Sequence, residues 1–265
     1  MKLLLEQDTE TLATLENLHD LAHWLGDPSR DLAILAEGNV SASVGEDKET
    51  FWLKASGSSM GTMRRDEFVL MDTARALQIL DHETLPDADI KRLLFEARVD
   101  GDSPLYPSTE AALHAVCLTE GGANAVGHTH PTPFLSLLCS RKAEEALAGR
   151  LFPDEIVVCG IAPCFVPYVD PGPPLARASR EAIRRYIEMF GEAPKVVLLQ
   201  NHGLFALGKS VDEVQRITMM AVKVARALVG AYACGGPNFL TPANADRIRT
   251  RPDELFRQQR LAAGG

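Results

Sequence analysis

The segment KVVLLQNHGLFALG, residues 195–208, leaves the chain little choice of local structure. Two apolar runs rich in Val, Leu and Phe flank the polar turn Asn201-His202-Gly203, the pattern of a hairpin with a tight reversal. An isolated hairpin is marginal in water and needs further strands or a helical layer over its apolar face. This segment therefore predicts a sheet with an antiparallel pair inside it. It also puts a histidine at the turn, where Gly203 allows the backbone to come close.

Other segments supply the partners. VSASV (40–44) and TFWLKA (50–55) alternate as half-buried strands with GEDKE turning the chain between them, and ANAVGHTH (123–130) reads as a strand ended by Pro131. EIVVCG (155–160) reads as one more strand. Residues 9–25 place Leu12, Leu15, Leu18, Ala22 and Leu25 on one helical face, and Gly26 stops that helix. Helices are also expected over 107–120, opened by Pro107-Ser108 with Glu110 in the first turn, over 132–150, and over 173–191, which has prolines at its start and glycine at its end. Ser210-Val211-Asp212-Glu213 forms a capping box for a long helix with Val214, Ile217, Ala221, Val224 and Leu228 inward. Beyond Pro237 the chain turns polar, with a short helical stretch near 252–262. Short strands mingled with helices predict one α/β domain over 1–240 with a central, mainly antiparallel sheet, followed by a polar tail over 241–265.

Composition narrows the partners. The net charge is −9, and basic clusters run no longer than pairs such as Arg64-Arg65, so nucleic acid is not an expected partner. The opening MKLLLEQDTE meets acids after three leucines, too short an apolar run for a secretory leader. No window resembles a membrane span. Five cysteines without CxxC spacing, mostly in apolar company, read as thiols of a reduced compartment, and a cytoplasmic location is expected.

Three histidines occupy positions that suit a metal. His128 and His130 are two apart on a predicted strand and leave the same face, with Thr129 opposite. Two imidazoles so close are unfavourable when both are protonated, and a shared cation resolves this. Three protein ligands with an open position is the arrangement of catalytic zinc, and His202 is placed to be the third. The plain alternative is chance spacing with each ring hydrogen-bonded at the surface. His19 and His23 read as solvent-facing, His82 as a loop residue, and His114, one turn after Glu110, as a structural hydrogen-bonding group. Glu110 could serve as an acid/base beside a cation; on position alone the ordinary reading, a first-turn glutamate that stabilises the helix, is the stronger one. Three loops suit an anion: Gly38-Asn39 entering the first strand, Ser56-Gly57 ending the second, and Ser108-Thr109 at the helix start. Lys54 is one of the few cations near them.

Taken in order, GNVS (38–41), KASGS (54–58), PSTEAALH (107–114), AVGHTHP (125–131) and LLQNHGL (198–204) resemble the class II aldolase/adducin family over about residues 10–235. The resemblance implies a zinc ion, or manganese or cobalt in its place, on His128, His130 and His202, with Glu110 as base. It also implies substrate phosphate at Gly38, Asn39, Ser56, Gly57, Ser108 and Thr109, and a homotetramer with the site near a subunit interface. The activity implied is aldol cleavage of a small ketose 1-phosphate through an enediolate. Sugar-phosphate epimerases, which usually carry aspartate at the position of Glu110, and methylthioribulose-phosphate dehydratases share the metal site. Adducin-like members that only bind partners lack the histidine set. One departure bears on the aldolase: the fuculose-type enzymes place a tyrosine proton donor after the HxH helix, and FPDEIVVCG (152–160) has none.

Overall fold

The structure is a computed structural model that describes residues 8–262. Helix α1 (Thr9–Leu25) precedes strands β1 (Asn39–Val44), β2 (Thr50–Lys54) and β3 (Phe68–Asp72), then helices α2 (Thr73–Gln78), α3 (Asp87–Glu96) and α4 (Ala111–Thr119). Strand β4 (Ala125–Thr129) leads to the short helices α5 (Thr132–Leu138), α6 (Ala143–Ala146) and α7 (Pro153–Cys159). Next come β5 (Cys164–Val166), α8 (Pro173–Phe190), β6 (Val196–Leu199), β7 (Gly203–Gly208) and α9 (Val211–Ala233), with α10 (Pro242–Thr250) and α11 (Pro252–Ala262) closing the described chain.

The seven strands form one sheet in the order β3-β2-β1-β4-β7-β6-β5. Every neighbouring pair is antiparallel except β5 with β6. Helices cover both faces. On one, Leu15, Leu18 and Leu25 of α1 and Val214 and Ile217 of α9 join Val40, Trp52, Leu198 and Leu204 of the sheet. On the other, Leu113 and Val116 of α4 and Ile183 of α8 join Phe51, Leu53, Val126 and Phe205. The fold is thus a mixed α/β domain with a mainly antiparallel sheet between helical layers, as the strand and helix patterns predict. Gly127 shows how tightly the layers close: a Cβ there would lie 2.7 Å from Val214 and 3.0 Å from Leu25. The residue before His128 must therefore be bare on the α1/α9 side, and His128 projects to the α4 side.

Several expectations are corrected. EIVVCG is not a strand: Pro153 opens α7, Asp154 and Glu155 sit in its first turn, and Gly160 at φ 83° ends it. A short apolar run does not distinguish a buried strand from a buried helix turn, and the true strand lies just beyond, at β5. The helix expected over 107–120 starts only at Ala111, so Glu110 stands before its first turn. The expected 132–150 helix breaks into α5 and α6 with Cys139–Lys142 between. Strand β3, with α2, α3 and α10, was not expected. His19 and His23 are not solvent-facing: they are half-buried, and both rings lie on the Met63 carbonyl oxygen, at 3.2 and 2.8 Å. The C-terminal helices return to α7, where Arg257 pairs with Asp154 and Leu240 N donates to Arg150 O at 2.8 Å. No described helix is long and apolar enough to cross a membrane.

Candidate metal centre and its carboxylate

Strand pairing assembles the histidines. In the β4–β7 ladder His128 stands opposite Phe205 and Thr129 opposite Leu204, which brings the β6–β7 turn with His202 back over the end of β4. Gly203 is required at that turn, since a Cβ would sit 2.5 Å from Thr129 O and 2.7 Å from the His130 ring. Asn201 takes the left-handed conformation, φ 56°, that asparagine tolerates. The result is three imidazoles around one point: His128 Nε2 is 2.9 Å from His130 Nε2 and 3.3 Å from His202 Nε2.

Their chemistry suits a cation. His128 Nδ1 donates to Leu204 O at 2.9 Å, which leaves Nε2 as the lone-pair nitrogen. Burial holds the His128 pKa well below the usual histidine value and brings His202 down to about 4, with His130 lowering both. His130 is lowered by burial too, against the pull of Glu37, whose Oε1 lies 3.9 Å from Nδ1. Neutral rings whose lone pairs converge repel unless something shares them. A single divalent cation fits the donor set, and among the described residues this is the group of three with metal-ligand geometry.

Glu110 completes the wall. It is 7% exposed, and its two oxygens face the triad: Oε2 lies 3.4 Å from His128 Nε2 and Oε1 3.4 Å from His202 Nε2. Asn39 Nδ2 donates to Oε2 at 2.8 Å, whereas Oε1 is buried with no hydrogen-bond partner. Burial raises the Glu110 pKa to about 7, against the Asn39 hydrogen bond and the charge of Lys54. An orphaned carboxylate oxygen aimed at three imidazole nitrogens is what a bound dication would satisfy.

The three anion loops divide into two kinds. The Ser56 and Ser108 loops are brought side by side by an isolated bridge between Ala55 and Pro107, with Ser56 N donating to Tyr106 O at 2.8 Å. Ser56, Gly57 and Thr109 are exposed there, and Gly57 at φ 86° has open space around it. Asn39 and Ser108 instead turn inward. Asn39 Nδ2 donates to Ser108 Oγ at 3.0 Å as well as to Glu110, and Ser108 Oγ also receives Glu110 N at 3.3 Å. Gly38, at φ 65°, passes so close to β4 that a Cβ would meet His128 O at 2.5 Å. Lys54 is 3% exposed, with its Nζ 3.4 Å from Ala36 O, and burial lowers its pKa to about 8.

Sequence reasoning missed Glu37 as a neighbour of His130 and Ser41 as a neighbour of His114. Ser41 closes the GNVS motif, but nothing in that motif points to a histidine 73 positions away. His114 does make structural hydrogen bonds, but they lead to the site: Nδ1 to Ser41 Oγ at 2.6 Å, and Nε2 to Asn39 Oδ1.

Comparison with known proteins agrees with this architecture. The sequence profile of the Class II Aldolase and Adducin N-terminal domain matches residues 16–229. The uncharacterized oxidoreductase YuxG of Bacillus subtilis is 25% identical over 185 residues, 70% of this chain, and the match spans only 24% of that relative's length. Methylthioribulose-1-phosphate dehydratase of Geobacillus kaustophilus is 26% identical over 194 residues, covering 71% of this chain and 79% of the enzyme. An L-fuculose 1-phosphate aldolase superposes with a TM-score of 0.67 at 19% identity, over 92% of this chain and 96% of that one.

Proposed function

The chain belongs to the class II aldolase and adducin family, and from that premise we propose that it is a metal-dependent enzyme acting on a small hydroxy-ketone, a ketose 1-phosphate, by way of an enediolate. The observation that carries the reading is the placement of Glu110, with both carboxylate oxygens 3.4 Å from imidazole nitrogens of the triad. His128, His130 and His202 would hold the cation, zinc or else manganese or cobalt. When bound it supplies Lewis-acid polarisation of the substrate carbonyl and charge stabilisation for the enediolate.

The residues of the chain do the rest. Glu110 takes or returns the proton on the carbon beside the carbonyl, and Asn39 holds the carboxylate in place for that transfer. The exposed Ser56-Gly57 and Ser108-Thr109 loops receive the phosphate through backbone N–H groups and hydroxyls, and Gly38 with Asn39 closes that wall. The sheet and α4 keep water from the inner side of Glu110. In aldol cleavage a second proton must leave the carbinol hydroxyl as the carbon–carbon bond breaks.

A second reading, dehydration, is favoured by one feature. No tyrosine stands in 152–160 to handle that second proton. In dehydration a proton leaves the carbon beside the carbonyl and a hydroxyl leaves the next carbon. Glu110 can accept the first proton and deliver it to the departing hydroxyl, so one acid/base suffices. The likeness to methylthioribulose-1-phosphate dehydratase supports the same reading. We also read the enzyme as a homo-oligomer, a tetramer, at work in the cytoplasm.

The test is a panel of ketose 1-phosphates, methylthioribulose 1-phosphate among them, incubated with metal-loaded protein in deuterated water. Dihydroxyacetone phosphate would establish cleavage, and a product lighter by one water would establish dehydration. If no substrate reacts and none exchanges a proton for deuterium beside its carbonyl, the enzymatic reading fails and a non-catalytic, adducin-like role replaces it.

A further inference from the structure

The buried polar chain behind Glu110 runs further than its immediate neighbours. His114, one turn into α4, and Ser41, on β1, are both fully buried. Ser41 Oγ lies 2.6 Å from His114 Nδ1, His114 Nε2 meets Asn39 Oδ1, and Asn39 Nδ2 reaches Glu110 Oε2 at 2.8 Å. The directions of these bonds are determined. As a carboxylate Glu110 accepts at Oε2, so the Asn39 amide presents its N–H edge to it and its carbonyl edge to His114. The Asn39 carbonyl then requires a proton on His114 Nε2. Burial brings the His114 pKa down to about 3, so the ring is neutral, and Nδ1 can only accept the Ser41 hydroxyl proton.

An asparagine amide left to itself can turn over, exchanging donor for acceptor. With His114 removed, the Asn39 carbonyl could swing towards the carboxylate and repel it. We infer that His114 is a positioning residue: with Ser41 serving Nδ1, its Nε2–H locks the Asn39 amide with its donor towards Glu110, and so holds that carboxylate against the histidine triad. Nothing in the local sequence requires this, because His114 hydrogen-bonds to none of the three imidazoles and reaches the anion loops only through Asn39. Its ring packs on Phe205, 5.2 Å between centroids, which keeps the relay dry.

The inference rests on the reading of Glu110 as the acid/base, and the experiment separates the two. Histidine-labelled ¹⁵N spectra of the wild-type protein should show one neutral ring with a solvent-protected Nε2–H that changes in Asn39→Ala. An Nδ1–H tautomer overturns the inference, whatever the enzyme turns over. In kinetics, His114→Leu should lower kcat about ten- to a hundredfold, the usual cost of losing a group that orients a ligand or base. KM should stay within about threefold and bound metal should be unchanged. His114→Gln keeps an N–H near the Nε2 position and should recover most of the rate. His114→Leu placed on Asn39→Ala should cost little more than Asn39→Ala alone. Equal losses in the Leu and Gln variants, or additive losses in the double variant, refute the relay. If Glu110→Gln, assayed beside them, turns over like wild type, the base reading falls, and the tautomer spectrum still decides on the relay. Should His114→Leu not fold, His114→Gln and the wild-type spectrum remain decisive.

Discussion

Asn39 and His128 face each other directly across the β1–β4 ladder, so the side chain that grips Glu110 and the innermost imidazole of the triad leave the sheet as one row. Phe205 extends that row on β7, stacked on His128 at 4.2 Å. A one-residue slip in either ladder would send every member to the opposite face. The site is therefore a property of strand register as much as of the residues it contains.

The triad should hold one divalent cation per chain in protein purified without chelator. His202→Ala removes the one ligand of the three that comes from the β6–β7 turn and should lose most of the metal, measured by elemental analysis. The sheet should survive, because its strands are held by apolar layers that do not include His202. A fully loaded His202→Ala protein would sink the three-histidine assignment.

Gly203→Ala tests the same geometry without touching a ligand. The added methyl must displace Thr129 O or the His130 ring, both within 2.7 Å of its ideal position. The expected result is metal affinity weakened by about tenfold or more, since a ligand ring is pushed off its orientation. Competition with a chromogenic chelator would read this directly. Unchanged affinity would mean that the turn has slack the packing does not show.

Glu110→Gln keeps shape and removes the base. Turnover should fall by roughly two to four orders of magnitude, the range for a positioned general base, with metal retained. Activity within a few-fold of wild type would leave Glu110 a structural residue only.

The same carboxylate makes the metal-free protein pH-sensitive. Its pKa is raised in the folded state from the ordinary glutamate value of 4.5 to about 7, chiefly by burial. A raised pKa contributes stability that is complete below the unfolded value and is lost as pH climbs through the folded one. Relative to Glu110→Gln, the metal-free wild type should therefore lose stability between pH 4.5 and 7 and level off above. The change should be about 3 kcal/mol. Chelator-treated samples unfolded in urea across that range would show it, and a flat difference would rule it out.

Phosphate binding should separate the outward side chain from the inward one. Ser56 is exposed in its loop, so Ser56→Ala should raise KM for a phosphorylated substrate with little change in kcat. Ser108 also braces Asn39 and Glu110, so Ser108→Ala should lower kcat as well. Equal turnover of a sugar and its phosphate ester would overturn the pocket assignment.

Much of this is legible in the sequence. The NHG turn between apolar runs could only be a hairpin tip, and HTH before a proline could only put two imidazoles on one side of a strand end. Those are local consequences of period and turn chemistry. Local pattern fails where two local structures serve the same burial. EIVVCG became α7 because Pro153 and the acids after it start a helix, and a short apolar run suits either state. It also fails for contacts between distant segments. Asn39 and Glu110 are 71 positions apart and Asn39 and His114 are 75 apart. As sequence, Asn39 looked like an anion-loop residue and His114 like a structural hydrogen-bonding group with no link to the site. The chain alone therefore determined β1, β2, β4, β6 and β7, the long helices α1, α8 and α9, and the candidate set of three imidazoles. Only the tertiary structure decided what Asn39 and His114 are for, because burying Glu110 beside the triad leaves a carboxylate that must be hydrogen-bonded from within the sheet, and register alone puts Asn39 within reach.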